Sequence, residues 1–146
     1  METLNDLLKK YIEDSELPEN NFDLARWYHY NNQTASAVSY YLRTAERSNI
    51  KTLKYVSLIL AAKCFISQGM RNFTVKGLYQ NAITICPERP EAYYFLAKFY
   101  REFEVQKDGS WTDAYLTACI GVSNSKDKEY SELPVDVEYP GYNGLL

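Results

Sequence analysis

The sequence predicts an all-α chain, a helical solenoid of about three helix-turn-helix repeats with an N-terminal capping helix and an irregular acidic C-terminal tail. Three observations predict it. A frame of bulky, small and aromatic residues at helical spacing occurs as Tyr93-x2-Leu96-Ala97-x2-Tyr100, as Leu58-x2-Ala61-Ala62-x2-Phe65 and, more weakly, as Asn21-x2-Leu24-Ala25-x2-Tyr28. The frames start at 21, 58 and 93, intervals of 37 and 35 residues, which suit stacked helix pairs with small loop insertions. Tyrosine is abundant, 14 of 146 residues, and supplies flat rings for the seams between helices.

Each element has a local reason. Leu4, Leu7, Leu8, Tyr11 and Ile12 make the apolar stripe of an amphipathic helix over residues 3–13, the cap of a segment that Pro18 ends. Asn20, with Asp23 three residues on, is expected to open the next helix, which runs to about Asn31. After a turn at Asn31-Asn32-Gln33, Thr34 starts a helix with Ala37, Tyr41 and Ala45 on one side. A long helix from Thr52 to Ser67 is closed by Gln68-Gly69, and its partner runs from Phe73 to Cys86. Pro90 suits the first turn of a helix reaching Val105. Lys107-Asp108-Gly109 makes a turn, and Ser110 caps a last helix that packs through Trp111, Ala114, Tyr115 and Ala118. The expected organisation is a repeat domain over 1–123 (cap 1–18, repeats 20–48, 51–87 and 90–123) and a tail over 124–146, where turn signals replace helical period.

Tyr93-x2-Leu96-Ala97-x2-Tyr100 resembles the tetratricopeptide (TPR) signature W-x2-L-G-x2-Y, with Tyr for Trp and Ala for Gly, and Tyr79-x2-Ala82-x4-Pro87 resembles its second helix. The resemblance implies a right-handed, TPR-like solenoid. A longer ordered string looks like one branch of these repeats: Arg43-x-Ala45-Glu46, Cys64, Gln68-Gly69-x-Arg71, Pro87-x-Arg89-Pro90-Glu91-Ala92-Tyr93, Trp111-x2-Ala114-Tyr115 and Leu133-Pro134-Val135-x2-Glu138-Tyr139-Pro140-Gly141. It resembles, over roughly residues 20–145, the repeat region that accompanies glycosyltransferases in marine bacteriophages and some large viruses. That resemblance implies an accessory role in glycosylation, with a transferase or a phage structural protein as partner and the host cytoplasm as compartment. It transfers no catalytic residue.

Composition narrows the chemistry. A net charge of −3 and a pI near 5.2 argue against nucleic acid as the main ligand. The longest apolar run, Val56 to Ala62, is far shorter than the ~20 residues of a membrane span, and a cytoplasmic protein is expected. Cys64, Cys86 and Cys119 are expected as buried free thiols. With His29 the sole histidine and no Gly-rich phosphate loop, neither a catalytic site nor a cofactor or metal is expected. Asp136-Val137-Glu138 looks like an acidic metal triplet of sugar transferases, but solvated tail charge is the simpler reading.

Projecting the repeat frame onto the front helices gives a strip on the concave side: Phe22, Arg26, His29 and Tyr30, then Val56, Ile59, Lys63 and Ser67, then Tyr94, Lys98 and Arg101. Four cations and several rings on one face of an acidic protein suit an extended acidic or aromatic peptide. The expected function is therefore a protein-interaction scaffold; the alternative is a glycan-engaging module whose Tyr and Trp rings stack on sugars. Glu129, Glu132, Asp136 and Glu138, interspersed with Tyr130, Tyr139 and Tyr142, make the tail a candidate ligand for its own groove or for that of a neighbouring copy. A homodimer through the C-terminal end is also expected.

Overall fold

The computed structural model describes residues 2–69, 71–104, 110–126, 128 and 130–141. Among them the chain is all-helical, with no strand: α1 (Leu4–Glu13), α2 (Pro18–Tyr30), α3 (Thr34–Arg47), α4 (Lys51–Gln68), α5 (Asn72–Ile85), α6 (Glu91–Phe103) and α7 (Ser110–Ser125). Each helix packs on its successor in chain order. The turn expected at 107–109, and the end of the helix expected to reach Val105, lie outside the described residues.

Caps and turns account for the boundaries. A reciprocal capping box starts α1: the Asp6 amide donates to Thr3 Oγ1 (3.3 Å) and the Thr3 amide to Asp6 Oδ2 (3.1 Å). The start of α2 differs from expectation. Pro18 opens the helix instead of ending the preceding segment, because a fixed φ and a missing N–H suit the first turn. Asn20 is then free to reach back, its amide donating to the carbonyls of Lys10 and Asp14 at 3.0 Å each, which ties α2 to the end of α1. Asn32 adopts φ 59°, a left-handed conformation that asparagine tolerates, and so turns the chain into α3. Gly69 at φ 80° closes α4, donating to the carbonyls of Phe65 and Ile66.

Tyrosines fill the interior. Tyr41 of α3, Tyr55 of α4 and Tyr79 of α5 are the largest fully buried side chains. Tyr28 and Tyr40 stack at 5.7 Å, and Tyr11 of α1 meets Tyr40 edge-on at 5.5 Å while accepting from Arg43 Nη1 at 3.0 Å. Such ring pairs contribute about 0.5–1.5 kcal/mol each beyond burial, which helps fasten the short α1 to α3.

Two helices present different faces from those expected. α4 is buried without a break from Tyr55 to Ala62, so Val56 and Ile59, expected in the groove, are core residues. A helix enclosed between α3 and α5 has no solvent side along that stretch. On α7 the packing face consists of Ala114, Ala118, Gly121 and Ser125, whereas Tyr115 is 70% exposed. Small residues let α7 approach α6 closely, and the bulky ring is turned outward. Trp111 lies outside the described side chains. Cys64 and Cys86 are buried free thiols as expected, but Cys119 is exposed on the outer side of α7.

Candidate functional site

The C-terminal segment from 130 to 141 has neither helix nor strand, and it runs back across the helices. Its start is fixed by Arg89, in the loop between α5 and α6. Arg89 Nη1 donates to the Ser131 carbonyl at 2.8 Å, and its guanidinium lies 5.0 Å from the Tyr130 ring centre. Further along, Val137 is 2% exposed and joins the main core, with Leu133, Val135 and Tyr139 packed partly against it. Lys63 Nζ donates to the Val137 carbonyl at 2.5 Å, and Tyr139 meets the Tyr94 ring edge-on at 5.7 Å. Burying a valine contributes on the order of 1.5 kcal/mol and a charged hydrogen bond about 1.5–3 kcal/mol, so Val137 and Lys63 together form the main anchor.

Beside that anchor lies a cleft of about 340 Å³ between α2, α4 and the tail, lined by Arg26, His29, Tyr30, Lys63, Asp136 and Glu138 among others. Arg26 is held by Tyr30: Nη2 donates to the Tyr30 hydroxyl at 2.8 Å, and the guanidinium sits 4.7 Å above the ring. His29 Nδ1 lies 2.9 Å from the buried Tyr41 hydroxyl. Burial lowers the pKa of Lys63, with Lys98 adding to the effect, while Glu138 and Asp136 oppose it. The cleft thus joins three cationic or basic groups to two carboxylates of the same chain.

Of the residues projected from sequence, Arg26, His29, Tyr30 and Lys63 line this cleft; Tyr94 does not, and meets Tyr139 of the tail instead. Phe22 does not: at 6% exposed it packs on Tyr41 with ring centres 5.9 Å apart, because the apolar side of α2 faces α3. Ser67 is exposed and donates to the Cys64 carbonyl at 2.7 Å on its own helix, a pattern that satisfies the hydroxyl locally. Arg101 is exposed on α6 and lines neither this cleft nor the one next to it. Lys98 lines that neighbouring cleft, of about 220 Å³, which shares Lys63 with the first. In the Asp136-Val137-Glu138 triplet the two acidic residues are exposed at the cleft, in keeping with solvated charge, while the valine between them is core. Sequence reasoning missed Asn32 and Leu60 in the cleft and Arg89 at the base of the tail.

No family model, curated protein or solved structure matches the chain. Geometry alone therefore bears on function. Among the described residues no cluster of three or more His, Cys, Asp or Glu side chains could hold a metal ion, and no helix is long and apolar enough to cross a membrane. Burial pushes the Cys64 thiol up to about 11, which disfavours a thiolate there at neutral pH.

The cleft makes stability depend on pH through His29. Burial holds its pKa below the ordinary histidine value, with Arg26 and Lys63 acting in the same direction and Glu138 against them. The unfolded chain therefore binds the proton first as pH falls. Stability associated with neutral His29 is complete above the unfolded value of about 6.5 and is lost as pH drops from there through the folded pKa. Urea midpoints at pH 7 and pH 5 should differ less in His29→Gln than in wild type; an equal difference would remove His29 from the account.

Proposed function

We propose that α2 to α7 stack as the three helix pairs of a TPR-like right-handed solenoid, and that the chain is a non-catalytic protein-interaction scaffold. The face along which the tail runs, made by the α2–α4 cleft and by Tyr94 of α6 beside it, takes an extended acidic peptide carrying a tyrosine. The observation that carries this reading is the seating of the tail. Residues 133–139 lie there as a peptide ligand would, with a main-chain carbonyl held by Lys63, an aliphatic side chain buried, flanking carboxylates toward Arg26, His29 and Lys63, and a tyrosine on Tyr94. An external ligand of the same chemistry competes with that segment. The resemblance noted above makes a glycosyltransferase or a phage structural protein the proposed source of such a peptide.

Anisotropy of a labelled peptide copying residues 131–139 tests this, using the full chain with Val137→Ser so that its own tail competes weakly. Micromolar binding is expected, weakening as ionic strength rises because the partners are charged. Lys63→Glu should weaken it by about 10- to 150-fold, the equivalent of one charged hydrogen bond at about 1.5–3 kcal/mol. No binding at any salt concentration would refute the reading. The glycan alternative draws on Tyr30, whose ring is largely exposed at the cleft mouth. A neutral oligosaccharide that binds without response to salt or to Lys63→Glu would favour it.

A further inference from the structure

The neighbouring cleft, between α4, α5 and α6, differs in character from the one that holds the tail. Its walls are rings. Tyr79 and Phe95 stack at 6.0 Å, and Phe99 and Phe103 stack at 5.1 Å. Two lysines stand at its rim: Lys63 Nζ is 4.1 Å from the Phe95 ring centre, and Lys98 Nζ is 4.0 Å from Glu102 Oε1. Both side chains of the Lys98–Glu102 pair are about half exposed, so that pair is weak and Lys98 can exchange it for an incoming carboxylate. At about 220 Å³ the cleft is smaller than the ~300–1,000 Å³ of pockets that enclose a small molecule, and it suits one large side chain.

Its position relates it to the peptide path. Lys63 belongs to both clefts. The Tyr139 ring touches Tyr94 at 5.7 Å, and Tyr94 touches Phe95 at 5.3 Å, so two ring contacts lead from the tail's tyrosine to the wall of the second cleft. An extended chain covers that span in about three residues at roughly 3.3–3.6 Å each.

We infer that the ring-walled cleft is a second subsite of the peptide site, taking one large apolar side chain that the partner carries about three residues beyond its tyrosine, with a neighbouring carboxylate directed to Lys98. The inference rests on the scaffold reading above and specifies the class of partner. It accepts an acidic segment that ends in an aromatic or leucine anchor. Such a ligand gains a contact outside the tail's cleft, and from that foothold it can displace the tail.

Two labelled peptides test it, each copying residues 131–139, one extended by Gly-Ser-Phe-Glu and the other by Gly-Ser-Ser-Glu. Binding is measured on the full chain with Val137→Ser, alone and with Phe103→Ser added. Phe103 is 47% exposed, so Phe103→Ser should keep the fold, with an unchanged thermal midpoint as the check. The phenylalanine peptide should bind at least ~10-fold more tightly than its serine counterpart, and Phe103→Ser should remove most of that difference while sparing the serine peptide. Equal affinities, or a difference that survives Phe103→Ser, overturn the second subsite and leave the scaffold reading intact. If neither peptide binds, the scaffold reading fails and the subsite falls with it. A concentration-dependent mass increase abolished by Phe103→Ser would assign the cleft to a second copy, and a cleft that takes the phenylalanine only after Tyr142→Ser would assign it to the chain's own end; both outcomes overturn the assignment to a partner.

Discussion

Arg89→Ala is expected to lower the unfolding free energy by about 3–5 kcal/mol and to detach the tail at its base. Arg89 and Glu91 form a forked pair, Nε to Oε1 at 3.2 Å and Nη2 to Oε2 at 3.0 Å, with side chains only 7% and 8% exposed. Tyr55, fully buried in α4, donates to Glu91 Oε1 at 3.2 Å and accepts from the Ala92 amide at 2.9 Å. Removing the guanidinium strands a carboxylate in that environment, and the desolvation cost that the pair had offset is then uncompensated. It also removes the hydrogen bond to the Ser131 carbonyl and the contact with Tyr130. Equilibrium urea unfolding measures the first effect and protease sensitivity near residue 131 the second. The double variant Arg89→Met/Glu91→Met separates them. With no buried charge left, its stability should recover in part, staying about 1–3 kcal/mol below wild type because the buried Tyr55 hydroxyl loses its acceptor, while the tail stays cleavable. A loss below about 1 kcal/mol in Arg89→Ala would mean that Glu91 is not held in a dry site.

Helix existence was legible because it depends on short-range chemistry. The glycine at 69, the threonine opening at 34 and the proline that follows α5 each act within one turn of their own position. Rotation about the helix axes was less legible. α4 is apolar enough on every side that no stripe marks which residues face a cleft, and Val56 and Ile59, expected on the concave strip, are core. On α7 a frame that expects bulky residues inward placed Tyr115 against α6, where the close approach of the backbones leaves room only for small side chains. The candidate site divides in the same way. Charge complementarity between the tail and the α2–α4–α6 face could be read from residue types alone, and the tail does run along it. Its anchors could not, because Lys63 with Val137 and Arg89 with Ser131 join positions 74 and 42 residues apart. No local pattern reports which carbonyl a distant cation will reach.

Gly121→Val is expected to cost about 3 kcal/mol, although glycine in the middle of a helix is ordinarily a weak point that other residues improve. A Cβ at 121 would lie 2.5 Å from Tyr93 Cβ and 2.8 Å from Tyr93 Cγ. Those atoms sit at the root of the side chain and cannot swing aside, so α7 itself must move. Tyr93 is also pinned, donating from its hydroxyl to the Pro87 carbonyl at 2.8 Å and accepting from Asn124 Nδ2 at 3.0 Å. Gly121→Ala sets two effects against each other: a gain of about 1 kcal/mol in helix propensity and an overpacking cost of about 1–3 kcal/mol. Its net loss should therefore be smaller, about 1 kcal/mol, and the series Gly, Ala, Val should fall steadily in unfolding free energy. Alanine as stable as glycine, with valine close behind, would mean that α6 and α7 do not approach this closely. Because the end of α7 leads into the tail, with the Tyr130 hydroxyl donating to the Ser125 carbonyl, a displaced α7 also moves the tail's origin. Gly121→Val should thus weaken docking of the tail even where every residue of the cleft is unchanged, and the labelled peptide should gain affinity at the tail's expense.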